Sequence, residues 1–216
     1  MALSETLKIS EIFYSLQGES LTVGIPTLFI RLTGCPLRCS YCDTEYAFSG
    51  GERMTIDDIL KCAENHKASY VTVTGGEPLA QNRCLDLLHN LCDAGYRVSL
   101  ETGGAHDISE VDPRVTIVMD IKTPASGEVE RNRYANIPQL RAKDQIKFVI
   151  CDRKDYDWAK SCLDEYALNQ RCNVLFSPAW QSQNAGELAE WILKDHLSVR
   201  MQLQLHKILW GETRGR

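Results

Sequence analysis

The chain has 216 residues, of which 44% are hydrophobic and 25% are charged, and its formal net charge at pH 7 is −5. This length suits a single domain over residues 1–216 with a full hydrophobic core, and the acidic balance disfavours nucleic acid as a partner, because a surface that binds phosphates must be basic. No apolar run reaches the length of a membrane helix, and Met1 to Glu5 lack the basic and apolar regions of a signal peptide, so we expect a cytoplasmic protein that acts on small molecules.

The first strong strand prediction covers Thr27 to Leu32, which is rich in strand-forming residues and runs directly into a cysteine-rich loop. Before it, residues 9–19 begin apolar and end in the polar stretch Tyr14 to Glu19, which is typical of a surface turn or of a loop that faces a ligand. The strand would therefore hold the cysteine loop at its carboxyl end.

The loop from Gly34 to Thr44 carries Cys35, Cys39 and Cys42 in a C-x₃-C-x₂-C spacing. A [4Fe-4S] cluster ordinarily takes four cysteines, one per iron, so three thiolates leave one iron open to an external ligand. A structural zinc site needs four ligands, yet neither a histidine nor a second cysteine pair follows within the next twenty residues. An odd local trio also cannot pair off into disulfides. The spacing favours a cluster, with zinc as the alternative.

Predicted helices and strands alternate along the rest of the chain. A capping box at Thr55 begins the first helix, Tyr70 to Thr74 forms a short buried strand, and Gln81 to Ala94 forms a helix that Gly95 closes. Further strands are predicted at 97–100, 115–121, 145–150, 173–176 and 201–205, and further helices at 155–167 and 185–194.

This alternation, with strands that are almost continuously apolar, predicts an α/β fold built on a parallel sheet. From Thr27 onward about seven strands are predicted, one fewer than the eight of a complete barrel. We therefore predict an incomplete (β/α) barrel, that is, a partial TIM barrel.

Polar or glycine-rich groups follow the carboxyl ends of these strands. Apart from the cysteine loop they are residues 74–77, 101–104, 120–124, 177–178 and 206–207. Glycine and proline occur in any turn, but in (β/α) barrels this end of the strands carries the active site. A series of such endings therefore predicts a site at this end of the sheet.

Two of these stretches resemble signatures of the radical S-adenosylmethionine (SAM) superfamily. The cysteine loop has an aromatic residue, Tyr41, just before its last cysteine, and Gly75 to Pro78 resembles the GGEP motif of that superfamily. In the superfamily, the methionine end of SAM chelates the fourth iron and the GGEP motif holds the amino end of SAM. The resemblance implies a fold of the radical SAM type, a [4Fe-4S] cluster and SAM as a cofactor.

Further stretches, spread over nearly the whole chain, resemble the 7-carboxy-7-deazaguanine synthase family. They are Tyr14 to Glu19, Arg31, Cys42 to Thr44, Asp120 to Pro124 and Gln204 to Lys207. That family converts 6-carboxy-5,6,7,8-tetrahydropterin to 7-carboxy-7-deazaguanine, requires Mg²⁺ and releases ammonia, in the route to 7-deazapurine nucleosides such as queuosine. Its members are homodimers with truncated barrels, and the resemblance also implies an electron donor such as flavodoxin.

The resemblance implies roles for individual residues. Cys35, Cys39 and Cys42 would ligate the cluster, and Thr44 the magnesium ion. The residues that would bind SAM are Tyr41, Cys42, Asp43, Gly76, Glu77, Lys122, Thr123, Pro124, Ser177 and Pro178. The residues that would contact the substrate are Leu16, Gln17, Gly18, Glu19, Arg31, Thr74 and His206. The tail from Trp210 to Arg216 matches none of the motifs.

Structural roles are the alternative for some of these residues. Arg31 suits a substrate carboxylate because its planar fork can bind two oxygens at once, but an arginine on a strand also forms structural ion pairs. His206, predicted near the end of the strand at 201–205, has the alternative of a buried, hydrogen-bonded histidine. The alternative for Thr44 is a hydroxyl that only caps its loop.

Two other functions share part of the pattern. A glycyl-radical enzyme activase has the same cysteine loop but must admit a protein backbone, and it has no evident need for Gln17, Glu19 and Arg31. A non-catalytic binding module stabilised by zinc would need only the cysteines. Metal analysis separates the zinc module from both enzymes, because a cluster contains about four irons with sulfide and a structural site contains one zinc.

Overall fold

The computed structural model describes residues 6–216, so the start of the chain on which the signal-peptide expectation rests, Met1 to Glu5, lies outside the described residues. The strands are β1 (Thr6–Leu16), β2 (Pro26–Leu32), β3 (Glu52–Thr55), β4 (Tyr70–Gly75), β5 (Arg97–Thr102), β6 (Thr116–Asp120), β7 (Gln145–Ile150), β8 (Asn173–Pro178) and β9 (Arg200–Met201). The α-helices are α1 (Ile56–Asn65), α2 (Cys84–Asp93), α3 (Arg153–Glu165), α4 (Ala185–Lys194) and α5 (Leu205–Trp210). None of these helices combines the length and the apolar character that crossing a membrane requires.

The strands form one sheet in the order β3-β1-β2-β4-β5-β6-β7-β8-β9, and the sheet does not close on itself. Seven strands, β2 and β4 to β9, run parallel to one another. β1 pairs with β2 and with β3 in antiparallel fashion. The prediction of an incomplete (β/α) barrel is confirmed, and its seven strands correspond to the parallel part of the sheet.

The two faces of the sheet differ in polarity, because side chains alternate along each strand. On β2, Ile30 and Leu32 are buried in the hydrophobic core, which the sheet shares with the helices, whereas Arg31 lies on the opposite face. On β7, Ile146 and Phe148 belong to the same core and the intervening lysine faces away from it. The polar side chains of the parallel strands therefore collect on the inner face of the open barrel.

Side-chain caps account for the starts of three helices. Thr55 accepts a hydrogen bond from the backbone N–H of Asp58 (3.1 Å) at the start of α1, which confirms the predicted capping box. Asn184 caps α4 in the same way. The prediction that the third helix begins at Asp155 is wrong, because Asp152 accepts from the backbone N–H of Asp155 (2.9 Å) and the helix begins at residue 153.

The helix predicted from Gln81 begins later, at residue 84. The side chain of Gln81 accepts a hydrogen bond from the backbone N–H of Lys8 (2.8 Å) and donates to the carbonyls of Lys8 and Thr33 (2.9 Å each). A 3-10 turn at Pro78–Ala80 directly precedes Gln81. Residues 78–83 therefore tie the end of β2 to β1 instead of extending α2.

The strand predicted at 201–205 is wrong beyond its first residue. β9 ends at Met201. The backbone N–H of Gln202 still donates to the carbonyl of Phe176 on β8 (2.9 Å), and its side chain is held by the backbone N–H and carbonyl of Ser20 (2.8 and 2.7 Å). The chain then turns, the backbone N–H of Leu205 donates to the carbonyl of Gly18 (2.9 Å), and α5 begins. His206 therefore lies in the first turn of a helix and not near the end of a strand.

The antiparallel strand β1 contains a bulge that sequence analysis did not predict. Ile9 pairs with Leu32, but the next pair along the ladder joins Glu11 to Arg31, so β1 contains one extra residue, Ser10. A bulge changes which side chains of a strand reach each face of the sheet. In this case it brings Glu11 to the face that carries Arg31.

Candidate active site

A cavity of about 570 Å³ lies at the carboxyl ends of the parallel strands, within the range of small-molecule and cofactor sites. Each of six neighbouring parallel strands contributes a polar side chain to it, and these are Arg31, Thr74, Glu101, Asp120, Lys147 and Ser177. The position of the cavity agrees with the site that the polar strand endings predicted.

The three cysteines of the loop all line this cavity and are partly buried. Ser40, in the middle of the loop, donates from its backbone N–H to the carbonyl of Ser126 (3.0 Å) and from its hydroxyl to the carbonyl of Ala125 (2.7 Å). Burial raises the pKa of each of the three thiols. A bound cationic metal would therefore be needed to keep them as thiolates near neutral pH.

Among residues 6–216, no group of three or more His, Cys, Asp or Glu side chains is arranged to hold a single metal ion. A [4Fe-4S] cluster does not need such an arrangement, because each cysteine binds a different iron. The donor set of three cysteines on one loop is therefore compatible with a cluster.

Two features beside the cysteines suit a bound cofactor. The hydroxyl of Tyr41 is buried and has no hydrogen-bond partner in the described part of the chain, and buried polar groups normally have one. A Cβ atom at Gly76 would lie 2.3 Å from the carbonyl oxygen of Gly34 and 2.8 Å from Cβ of Cys35. Only glycine permits this approach, which joins the loop after β4 and the cysteine loop into one cradle.

Glu77, predicted at the SAM site, does not line the cavity. Its side chain is fully buried, and its carboxylate accepts hydrogen bonds from the hydroxyl of Thr102 (2.9 Å) and from the backbone N–H groups of Gly103 (2.7 Å) and Leu79 (3.0 Å). The Glu77 carboxylate therefore ties the loop after β4 to the end of β5, behind the cavity wall.

Thr123 and Pro124 also lie outside the cavity lining. The hydroxyl of Thr123 donates to two acceptors, the carbonyl oxygen of Val149 and the carboxylate of Asp155, each at 3.0 Å. Pro124 begins a 3-10 turn, Pro124–Ser126, whose carbonyls hold Ser40 of the cysteine loop. The 3-10 turn therefore supports the cysteine loop from outside the cavity, and Thr123 holds the segment before that turn against Val149 and Asp155.

Every other residue that sequence analysis predicted for the site does line the cavity. Besides the three cysteines, these are Leu16, Gln17, Gly18, Glu19, Arg31, Tyr41, Asp43, Thr44, Thr74, Gly76, Lys122, Ser177, Pro178 and His206.

Glu101, which was not predicted, links two of the predicted substrate residues. The side-chain amide of Gln17 donates to one of its carboxylate oxygens (3.1 Å), and the hydroxyl of Thr74 donates to the other (3.0 Å). Burial and the nearby Glu19 carboxylate raise the pKa of Glu101. Its position at the end of β5, in the polar stretch 101–104, was the signal in the sequence.

Two lysines and two carboxylates alternate along the cavity wall. Nζ of Lys147 lies 2.6 Å from Oε2 of Glu19 and 3.3 Å from Oδ1 of Asp120, and Nζ of Lys122 lies 2.7 Å from Oδ2 of Asp120. Burial alone would raise the pKa of both carboxyl groups, but the lysines hold the pKa of Glu19 and Asp120 below the usual values. Lys147 was also not predicted, although a charged residue inside the apolar strand β7 was a signal.

Replacing Lys147 with methionine is expected to lower the free energy of unfolding by about 3 kcal/mol, because Glu19 and Asp120 would stay buried without their shared cation. Urea unfolding under anaerobic conditions measures the change. Lys61→Met, at an exposed position on α1, is the control and should change stability by less than about 0.5 kcal/mol. Equal urea midpoints for the two variants would contradict the argument.

The start of α5 brings His206 against the loop that carries Gln17 and Gly18. A Cβ atom at Gly18 would lie 2.1 Å from Nδ1 of His206, so the two residues are in close contact. Burial lowers the pKa of His206 in spite of the neighbouring Glu19 and Asp43 carboxylates. The predicted substrate residues from the two ends of the chain therefore share one wall of the cavity.

The tail that matched no motif also reaches the cavity, which residues 211–216 help to line. The guanidinium of Arg214 lies 4.1 Å from the ring centroid of Tyr46, and a Cβ atom at Gly215 would lie 3.9 Å from Cβ of Phe13. No pattern in the sequence indicated these contacts.

Thr44 does not cap its loop. It precedes the 3-10 turn Glu45–Phe48, but its side chain makes no capping hydrogen bond to that turn, and its hydroxyl donates to Oδ1 of Asp43 (2.8 Å). The capping alternative is therefore wrong, and the Thr44 oxygen has lone pairs left for a ligand in the cavity.

Comparison with known proteins agrees with these features. Residues 29–119 match the model of the Radical SAM superfamily. The chain is 46% identical to the 7-carboxy-7-deazaguanine synthase of Chlorobaculum tepidum, with 100% of both chains covered. It is 43% identical to the protein of the same name from Koribacter versatilis, with 97% of this chain and 100% of that relative covered.

Solved structures share the fold. QueE from Escherichia coli matches with a TM-score of 0.74 at 23% identity, over 93% of this chain and 95% of that one. Streptococcus suis SuiB bound to S-adenosylmethionine matches with a TM-score of 0.54 at 14% identity, over 79% of this chain and 45% of that one. These solved structures therefore have the same overall fold as this chain over the parts that match.

Proposed function

The chain belongs to the 7-carboxy-7-deazaguanine synthase family of radical SAM enzymes, and from this premise we propose that it converts 6-carboxy-5,6,7,8-tetrahydropterin to 7-carboxy-7-deazaguanine by a Mg²⁺-dependent ring contraction that releases ammonia. One observation carries the proposal. A single cavity has the three cysteines on one side and a set of hydrogen-bonding and charged side chains on the other. The product would enter the route to 7-deazapurine nucleosides such as queuosine.

Cys35, Cys39 and Cys42 would hold a [4Fe-4S] cluster, with SAM beside Tyr41 and the cradle at Gly76. When bound, the cluster and SAM would supply the radical that takes a hydrogen atom from C6 of the substrate. The protein would position the reacting groups and exclude water from them. Lys122, which ion-pairs with Asp120, belongs to the wall on the SAM side.

The opposite wall suits a carboxylated pterin. Arg31 offers a planar cationic fork for the carboxylate. The pterin ring carries both N–H donors and a carbonyl acceptor, and the wall presents carboxylates at Glu19 and Glu101 together with the amide of Gln17. Thr74 holds the Glu101 carboxylate in place through its hydroxyl. Leu16, Gly18 and His206 complete this wall.

Thr44 would donate its hydroxyl oxygen to the magnesium ion. Mg²⁺ requires six oxygen ligands in an octahedron and usually keeps several waters, so one neutral hydroxyl holds it weakly. The carboxylate of the substrate must supply much of the affinity. Metal and substrate should therefore bind cooperatively.

Thr44→Val, which keeps the shape of the side chain without its oxygen, is expected to raise the Mg²⁺ concentration for half-maximal turnover roughly tenfold or more. Iron content and SAM binding should not change. Thr44→Ser keeps the hydroxyl and is the matched control. Identical magnesium activation curves for Thr44→Val and the wild type would show that Thr44 is not a ligand.

We also propose that the chain works as a single-domain homodimer in the cytoplasm, with a pterin as its small-molecule substrate and an electron donor such as flavodoxin. All nine cysteines lie in the described part of the chain and are unpaired, which suits a reducing compartment. Exposed apolar side chains at Leu193, Ile208 and Leu209 offer surface that a second copy of the chain would cover.

The experiment that tests the function is anaerobic incubation of the iron-loaded protein with SAM, a reductant, Mg²⁺ and 6-carboxy-5,6,7,8-tetrahydropterin. Formation of 7-carboxy-7-deazaguanine with release of ammonia is the expected result. Cleavage of SAM without any deazapurine product would refute the proposed substrate. One zinc per chain in place of iron and sulfide would refute the cluster as well.

A further inference from the structure

Glu11 and Arg31 are directly opposite each other across the β1–β2 ladder because of the bulge at Ser10. Without the extra residue, Ser10 would oppose Arg31, and Glu11 would point to the other face of the sheet. The same register places Phe13 against Phe29, whose rings stack at 4.9 Å and 7° on the cavity side. The bulge thus gives the inner face an acidic residue beside its arginine.

The ion pair with Glu11 uses only one nitrogen, Nε, of the Arg31 guanidinium. Nε of Arg31 donates to Oε1 of Glu11 (2.7 Å), and among residues 6–216 no other guanidinium nitrogen of Arg31 has a hydrogen-bond partner. The rings of Phe13 and Tyr46 lie 5.8 and 5.9 Å from the guanidinium carbon. Arg31 itself lines the cavity with 15% of its side chain exposed. Its two terminal nitrogens are therefore left for a ligand.

Tyr46 holds Glu11 in this position. The hydroxyl of Tyr46 donates to Oε1 of Glu11 (2.8 Å), the same oxygen that accepts from Arg31. Tyr46, Glu11 and Arg31 form a chain in which each side chain fixes the next.

We propose that Glu11 and Tyr46 are positioning residues that turn the terminal nitrogens of Arg31 toward the cavity, and that they thereby make the enzyme selective for a substrate that bears a carboxylate. This inference rests on the proposed function and adds the residues that decide its substrate class. Two parallel N–H···O bonds need a fixed guanidinium plane, and an arginine held only by ring contacts would be free to rotate.

The negative charge of Glu11 has an effect of its own, because removing it would by itself favour binding of any anion. Glu11→Gln and Glu11→Ala lose that charge equally, but only the glutamine keeps an oxygen that can accept from Arg31 and Tyr46. The difference between these two variants therefore isolates the positioning hydrogen bonds. Tyr46→Phe removes the second bond without any change of charge.

The experiment measures kcat and KM of the iron-loaded enzyme for 6-carboxy-5,6,7,8-tetrahydropterin, and the Kd of that pterin and of tetrahydropterin without the carboxylate. We expect the KM for the carboxylated pterin to be about tenfold higher in Glu11→Ala than in Glu11→Gln, with kcat within about threefold. Tyr46→Phe should lose about threefold in its preference for the carboxylated pterin. Iron content and cleavage of SAM without pterin should match the wild type in all three variants.

Equal KM values for Glu11→Ala and Glu11→Gln, together with an unchanged pterin preference in Tyr46→Phe, would overturn the inference. Equal weakening of both pterins would also overturn it, because that result indicates a general structural role. These failures are distinct from failure of the proposed function, in which the wild type itself forms no deazapurine. Glu52→Gln, at an exposed position on β3, is the control and should leave every value unchanged.

Discussion

Replacing any one of Cys35, Cys39 and Cys42 with alanine is expected to remove the cluster and to reduce turnover to the uncatalysed rate, a loss of at least about 10⁶-fold. All three thiols line the cavity, and a site with three thiolates has no spare ligand. Iron and sulfide content after anaerobic reconstitution, together with the visible absorption of the cluster, measures the effect.

The other six cysteines provide the control. Cys62 lies on α1, away from the cavity lining, and Cys62→Ala should retain full iron content and turnover. If an alanine variant of any of the three loop cysteines kept the iron content of the wild type, the assignment of the cluster to this loop would be wrong.

Gly76→Ala is expected to have the second largest effect. The added methyl would lie 2.3 Å from the carbonyl oxygen of Gly34 and 2.8 Å from Cβ of Cys35, so the cysteine loop must move away from the loop after β4. Overpacking of this kind costs about 1–3 kcal/mol of stability. The same displacement opens the proposed SAM cradle, and we expect the affinity for SAM to fall by at least about tenfold.

Equilibrium binding of SAM to the anaerobically reconstituted protein, with urea unfolding in parallel, tests this prediction. Gly186→Ala adds the same methyl in the first turn of α4, where the nearest atom is a side-chain oxygen of Asn184 at 3.2 Å, and it should leave SAM binding unchanged. Normal SAM affinity in Gly76→Ala would show that the close approach of the two loops does not matter for the cofactor.

The fold was predictable from the sequence where local chemistry decides the structure. Thr55 marks the start of α1 because its side-chain oxygen satisfies a free backbone N–H. The parallel strands were recognised because their nearly continuous runs of apolar residues are also a local pattern. The strand predicted at 201–205 failed because the chain turns there toward the loop at Gly18 and Ser20, far away in the sequence, and no local pattern contains those contacts.

The same distinction applies to the site. Cys35, Tyr41 and Gly76 were predicted from short motifs, and all line the cavity. Glu77 belongs to the same motif as Gly76, but its carboxylate accepts hydrogen bonds from Thr102 and Gly103 behind the cavity wall. These bonds depend on how the ends of β4 and β5 lie side by side.

Residues whose role comes only from their partners were missed. Lys147 matters because it lies between Glu19 and Asp120, and Glu11 because a bulge turns it toward Arg31. Both partnerships join segments that are far apart in the sequence, so patterns among adjacent residues cannot predict them.

Within residues 6–216, the unclosed sheet leaves two edge strands, β3 and β9, whose outer backbone groups have no neighbouring strand. Such edges can recruit strands from other molecules and start aggregation. β9 is only two residues long, and β3 is four residues long and begins with the exposed, oppositely charged Glu52 and Arg53. Short length and charge both discourage edge pairing. The barrel can therefore stay open without becoming a template for aggregation.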